Sequence, residues 1–93
     1  MWYDVKIGDV LKDNRESYDS YGKTGVVFAI QDNNTPFGNF SELYIDWGNK
    51  NYDTFSLGNA QLCFSRVGHK DLSWESIDGL KIAKKYKHLL KRR

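Results

Sequence analysis

Apolar positions recur with a period of two over roughly the first seventy residues and with a period near 3.6 after them. Residues 2–11 alternate imperfectly. Val5 and Ile7 share one face, and a Gly8-Asp9 break precedes Val10 and Leu11, as in a bent or bulged strand. Residues 13–22 are polar and rich in turn formers (Asn14, Ser17, Asp19, Ser20, Gly22), which predicts a long loop. The run Gly25-Val26-Val27-Phe28-Ala29-Ile30 is β-branched and apolar on both faces, and it is the clearest strand. Residues 31–39 hold Asp32-Asn33-Asn34, the single proline Pro36 and Gly38, and they read as a loop.

Leu43, Ile45 and Trp47 then alternate with Tyr44 and Asp46. Gly48-Asn49-Lys50-Asn51 predicts a hairpin connection into residues 52–57, where Phe55 and Leu57 alternate with Thr54 and Ser56. Gly58-Asn59 reads as a turn before a last strand over residues 61–67, with Leu62 and Phe64 as its inward pair. Val27, Ile45, Leu57 and Leu62 are the expected core. About five short strands separated by turn signals predict a small all-β barrel or sandwich.

The final segment changes character. Ser76 fits a helix N-cap with Asp78 in the first turn, and Ser73 followed by Glu75 is the competing start. At 100° per residue, Leu80, Ile82, Ala83, Tyr86, Leu89 and Leu90 fall on one broad face. Lys81, Lys84, Lys85, His88, Lys91 and Arg92 fall on the other, with Arg93 beyond them. Gly79 weakens the first turn by roughly 1 kcal/mol relative to alanine. The pattern is that of an amphipathic basic helix. Its apolar face is expected to pack on the open edge or end of the barrel.

The succession Lys6-Ile7-Gly8-Asp9-Val10-Leu11, Gly22-Lys23-Thr24-Gly25-Val26-Val27, Tyr44-Ile45-Asp46-Trp47-Gly48 and Phe55-Ser56-Leu57 resembles SH3-like barrels of the KOW and Tudor type. In those barrels a Gly-Asp strand precedes a long first loop, followed by a GxxGxV strand, a strand ending in Trp-Gly or Trp-Asp, and a short final strand. The form here is similar to small SH3-like proteins encoded by tailed bacteriophages. The resemblance covers residues 5 to about 67 and implies a mainly β fold, a small five-stranded SH3-like barrel placed over residues 1–72; the C-terminal basic α-helix over residues 73–93, read from the change of period, belongs to the same single domain. One departure concerns the first loop. A KOW motif supplies a basic loop there, whereas Arg15 is set against Asp13, Glu16 and Asp19.

Charge sharpens the functional reading. The net charge of +2 hides a split: residues 1–72 carry seven basic and ten acidic residues, a net of −3, and residues 73–93 carry seven basic against Glu75 and Asp78, a net of +5. Such a split points to a polyanion, a membrane surface or an acidic partner for the tail, and the helix's apolar face lacks the Trp or Phe anchors of an interfacial helix. It also permits head-to-tail self-association. Tyr18, Tyr21, Phe37, Phe40 and Tyr52 fall in loops or on the expected outer face, where aromatic rings serve protein contacts or base stacking.

Chemistry is sparse. One cysteine and two histidines make neither an intramolecular disulfide nor a metal site. No nucleotide-binding glycine pattern or nucleophile motif appears, so no enzyme activity and no cofactor are expected. Cys63 reads as an inert core thiol and Asp9 as a turn-stabilising carboxylate. No stretch reaches the roughly 18 apolar residues of a membrane span, and no apolar leader core follows Met1, so a cytoplasmic setting without membrane contact is expected. Two binding functions remain. One is a phage accessory or host-interaction protein that engages a protein partner through barrel loops or a strand edge. The alternative is a nucleic-acid-associated protein whose Lys81, Lys84, Lys85, His88, Lys91, Arg92 and Arg93 contact phosphates.

Overall fold

The computed structural model describes residues 4–48, 52–73 and 76–86. Strands β1 (Asp9–Asp13), β2 (Thr24–Thr35), β3 (Gly38–Asp46), β4 (Tyr52–Ser56) and β5 (Phe64–His69) form one antiparallel sheet. Helix α1 (Leu57–Cys63) joins β4 to β5, and α2 (Ile77–Lys85) follows β5. The strand order is β4-β3-β2-β1-β5, so the last strand returns to the first.

One face of this sheet carries the core. Leu11, Val27, Leu43 and Ile45 are buried together with Ala60 of α1 and Phe64 of β5, and Trp47, Phe55 and Leu57 pack around them. Register produces this clustering: Val27 lies opposite Ile45, and Leu43 lies opposite both Ile30 and Phe55. Gly25 completes the packing, because a Cβ there would lie 2.6 Å from Ile45 and 2.7 Å from the Trp47 ring. Only glycine lets both side chains cross β2 at that point.

The sheet is not closed into a barrel, since β4 and β5 remain its two edges. They meet through side chains. Phe55 of β4 and Phe64 of β5 stand edge to face with ring centres 4.9 Å apart, and Trp47 adds a second such contact to Phe64 at 5.4 Å.

The opposite face is covered as well. The β2–β3 register skips between Val27 and Ala29, leaving Phe28 as the extra residue of a bulge. Val27 and Phe28 alternate on the pleat and are both buried, one on each side of the sheet, and the extra residue returns Ile30 to the core face opposite Leu43. Tyr86, the residue that ends α2, stacks on Phe28 with ring centres 4.2 Å apart, and Tyr44 and Tyr52 complete a four-ring cluster. Burial on both faces explains why β2 reads as a continuous apolar run.

Several expectations need correction. Residues 31–39 are not a loop: β2 runs to Thr35 and β3 starts at Gly38. The first strand starts at Asp9, not within the residues before it, and Ile7 is half exposed. Gly58-Asn59 is not a turn between strands but lies in α1, because the Ser56 hydroxyl accepts the Asn59 N–H as an N-cap. That helix places Leu62 outward at 75% exposure, so it is no core residue. Cys63 ends α1 half-buried, and not mid-strand.

In α2 the N-cap is Ser76, which accepts the Gly79 N–H at 2.8 Å. The broad apolar face is only partly used: Tyr86 is buried and Ile82 half-buried, while Leu80 and Ala83 are exposed. Gly79 sets the approach, since a Cβ there would collide with the backbone carbonyls of Leu72 and Ser73. Leu89 and Leu90 lie outside the described residues, as do Trp2 and residues 49–51.

Candidate functional site

β1 pairs with β2 only through residues 24–26, and β4 pairs with β3 only through residues 42–46. The remaining pairs, Asp32 with Ser41, Asn33 with Phe40, Asn34 with Asn39 and Thr35 with Gly38, form a two-stranded ribbon beyond both neighbours. Its polar residues have little strand preference of their own. They are held by register and by local bonds. The Ser41 hydroxyl donates to Asp32 at 2.6 Å, and the Tyr44 hydroxyl donates to Gln31 at 2.8 Å at the base. At the tip, the Thr35 hydroxyl donates to the Gly38 carbonyl and accepts the Phe37 N–H. Phe37 is thereby held at the turn with 98% of its surface exposed, and Phe40 is also exposed. From Gln31 to Glu42 the arm carries two carboxylates and no cation.

The first loop is a second, differently built surface. Asp13, with no exposed surface, ends β1 and accepts the Arg15 backbone N–H together with two guanidinium bonds at 3.0 and 2.7 Å. It also accepts the Ser20 hydroxyl. The Arg15 guanidinium holds the Asp13 carboxyl down to about 2. Arg15 in turn lies 4.0 Å over the Tyr18 ring and within 5.3 Å of Phe55 and Phe64. The ion pair thus ties the loop to the aromatic contact that joins the sheet edges. Tyr18 and Tyr21 sit on this loop, both exposed.

The sequence-derived aromatic set therefore occupies three places. Phe37 and Phe40 are on the arm, Tyr18 and Tyr21 on the first loop, and Tyr52 half-buried in the ring cluster under Tyr86. Among the basic residues, Lys81 and Lys84 are exposed on α2, while Lys85 bonds Asp46 of β3 at 3.0 Å. His88, Lys91, Arg92 and Arg93 lie outside the described residues.

Asp9 is buried and accepts the Lys6 N–H and the His69 ring Nδ1, both at 2.8 Å. It fastens the turn before β1 to the end of β5. Among the described residues no group of three His, Cys, Asp or Glu side chains is placed to hold a metal, and no helix is long and apolar enough to cross a membrane.

Sequence reasoning missed the arm and the Asp13–Arg15 pair. A signal for the pair existed in the Asp-x-Arg spacing at the end of a strand. Nothing in residues 31–39 signalled a ribbon. Comparison with protein-family models, with curated proteins and with solved structures found no match.

Proposed function

We propose that the chain is a non-enzymatic protein-binding module of the SH3-like class, its sheet left open between β4 and β5, that docks on its partner through the β2–β3 arm. The observation that carries this reading is the arm itself: an exposed Phe37 on a structured tip, Phe40 behind it, and no cation from Gln31 to Glu42. A phenylalanine held in water forgoes roughly 1.5–3 kcal/mol of burial, which a complementary protein surface recovers. Nucleic acid is disfavoured as the arm's partner because a phosphate backbone repels carboxylates and rewards cations.

The order of elements supports the SH3-like class. Gly8-Asp9 leads into β1, a long loop follows, Gly25-Val26-Val27 lies in β2, Trp47-Gly48 follows β3, and β5 is short. By the same resemblance, the partner belongs to host or phage machinery in the bacterial cytoplasm. A phosphate-binding role for the tail is the second reading, and the exposed Lys81 and Lys84 favour it.

Affinity capture from a bacterial lysate, with and without nuclease, separates the two. The wild-type chain is expected to retain a specific protein after nuclease, and the variant F37S/F40S to lose it. Capture that vanishes on nuclease treatment, or that the arm variant leaves intact, contradicts the proposal.

A further inference from the structure

We infer that, until that partner displaces it, the surface receiving the arm is carried by a second copy of this chain, on the outward stripe of α2. This inference rests on the reading of the arm as the docking element. Helix α2 uses one side against its own body: Gly79, Ile82 and Tyr86 turn inward. Ile77, Leu80, Lys81 and Lys84 are spaced i, i+3, i+4 and i+7, so they form one stripe on the opposite side. All four are exposed, Ile77 at 73% and Leu80 at 55%. The stripe is therefore two apolar side chains followed by two lysines.

The arm is its counterpart in both respects. It offers Phe37 at its tip and, on one face, Phe40 as an apolar group with Glu42 as a carboxylate, while Asp32 lies on the other face, bonded by Ser41. Opposite charges matched across an apolar centre favour one orientation and one partner. The two surfaces do not cover each other within one molecule, because Phe37 and Ile77 both remain open to water. They pair only between molecules. Each copy carries both surfaces, so two copies related by a two-fold axis make the contact twice and bury both arms.

The test is the mass of the purified full chain in solution, read by sedimentation or light scattering at about 100 μM protein, a concentration suited to a weak contact. The expected result is a mass above the 10.8 kDa of one chain, decreasing on dilution and on raising the salt to about 1 M, where screening is strong. F37S and K81E/K84E are each expected to run as monomers. A mixture of K81E/K84E with E42K is expected to associate again, since the charges are exchanged across the same contact. F37S lies at an exposed tip and leaves the fold intact, so its effect does not depend on how the charge variants fold.

A wild-type chain that stays monomeric overturns the inference, as does association that F37S or K81E/K84E leaves unchanged. Failure here is separable from failure of the docking arm. A monomeric chain whose lysate partner is still lost in F37S/F40S loses only the second-copy claim. If neither association nor capture responds to F37S/F40S, both claims fall.

Discussion

Asp13 and Arg15 carry more of the molecule than loop residues ordinarily do. The carboxylate is fully buried, bonded by Arg15 and Ser20, and held near 2 against an ordinary 3.8. A folded-state value below the unfolded one means stability that is present above about pH 4 and lost as pH falls towards 2. The shift corresponds to about 2 kcal/mol. Acid titration followed by circular dichroism is expected to show this loss in the wild type. D13N is expected to be less stable at neutral pH, near the lower end of the about 3–5 kcal/mol for breaking a buried pair, and to lose that acid limb.

Tyr86 gives the converse case. Its ring is buried in stacked and edge-on contacts, and its hydroxyl, near the Asp46–Lys85 pair, makes no well-formed hydrogen bond among the described residues. Burial pushes its ionisation above the usual tyrosine range. Y86F is therefore expected to be neutral or slightly stabilising in thermal melts, whereas Y86A is expected to cost about 3–5 kcal/mol. Equal losses in the two variants contradict this placement of the ring. The sequence showed Tyr86 on an apolar helix face, but not which ring it meets, because Phe28 lies far away in the chain.

At the scale of elements, strands with β-branched alternation were legible and strands without it were not. Val27, Leu43 and Ile45 follow from period-two alternation and are fully buried. The ribbon of β2 and β3 beyond Ile30 is built from Asp32, Asn33, Asn34 and Asn39, which signal turns when read locally. Cross-strand register, set beyond the bulge by Ile30 against Leu43 and carried outward pair by pair, overrides that preference. Helix α1 was illegible for a related reason. Gly58-Asn59 marks a turn, yet Ser56 sits where its hydroxyl caps a helix.

The practical consequence is the position of Leu62. It alternates correctly with Phe64 for a strand, but on α1 it points to solvent. L62A is expected to shift stability by no more than about 0.5 kcal/mol, while L43A is expected to cost about 2–5 kcal/mol in denaturant unfolding. A large loss in L62A contradicts the helical assignment of residues 57–63.

For the whole molecule, the open sheet and the uneven charge belong together. The edges β4 and β5 are joined by Phe55 and Phe64 under the Arg15–Asp13 pair, and no backbone ladder closes them. The body thus keeps an acidic first loop and an acidic arm, while α2 is anchored at its end by Tyr86 and the Lys85–Asp46 pair. The split in charge and the presence of a β body were legible from composition and period. Tertiary contacts alone decide which cations remain outward, and they direct Lys85 to Asp46 and leave Lys81 and Lys84 exposed.

The central claim is that Phe37 at the arm tip is a protein contact, and a photo-activatable cross-linker in its place tests this most directly. The same group at position 62, also exposed and apolar but away from the arm, serves as the control. Irradiation in cells is expected to give a discrete protein adduct from position 37 and none from position 62. An adduct from position 62 alone, or none from position 37, contradicts the account.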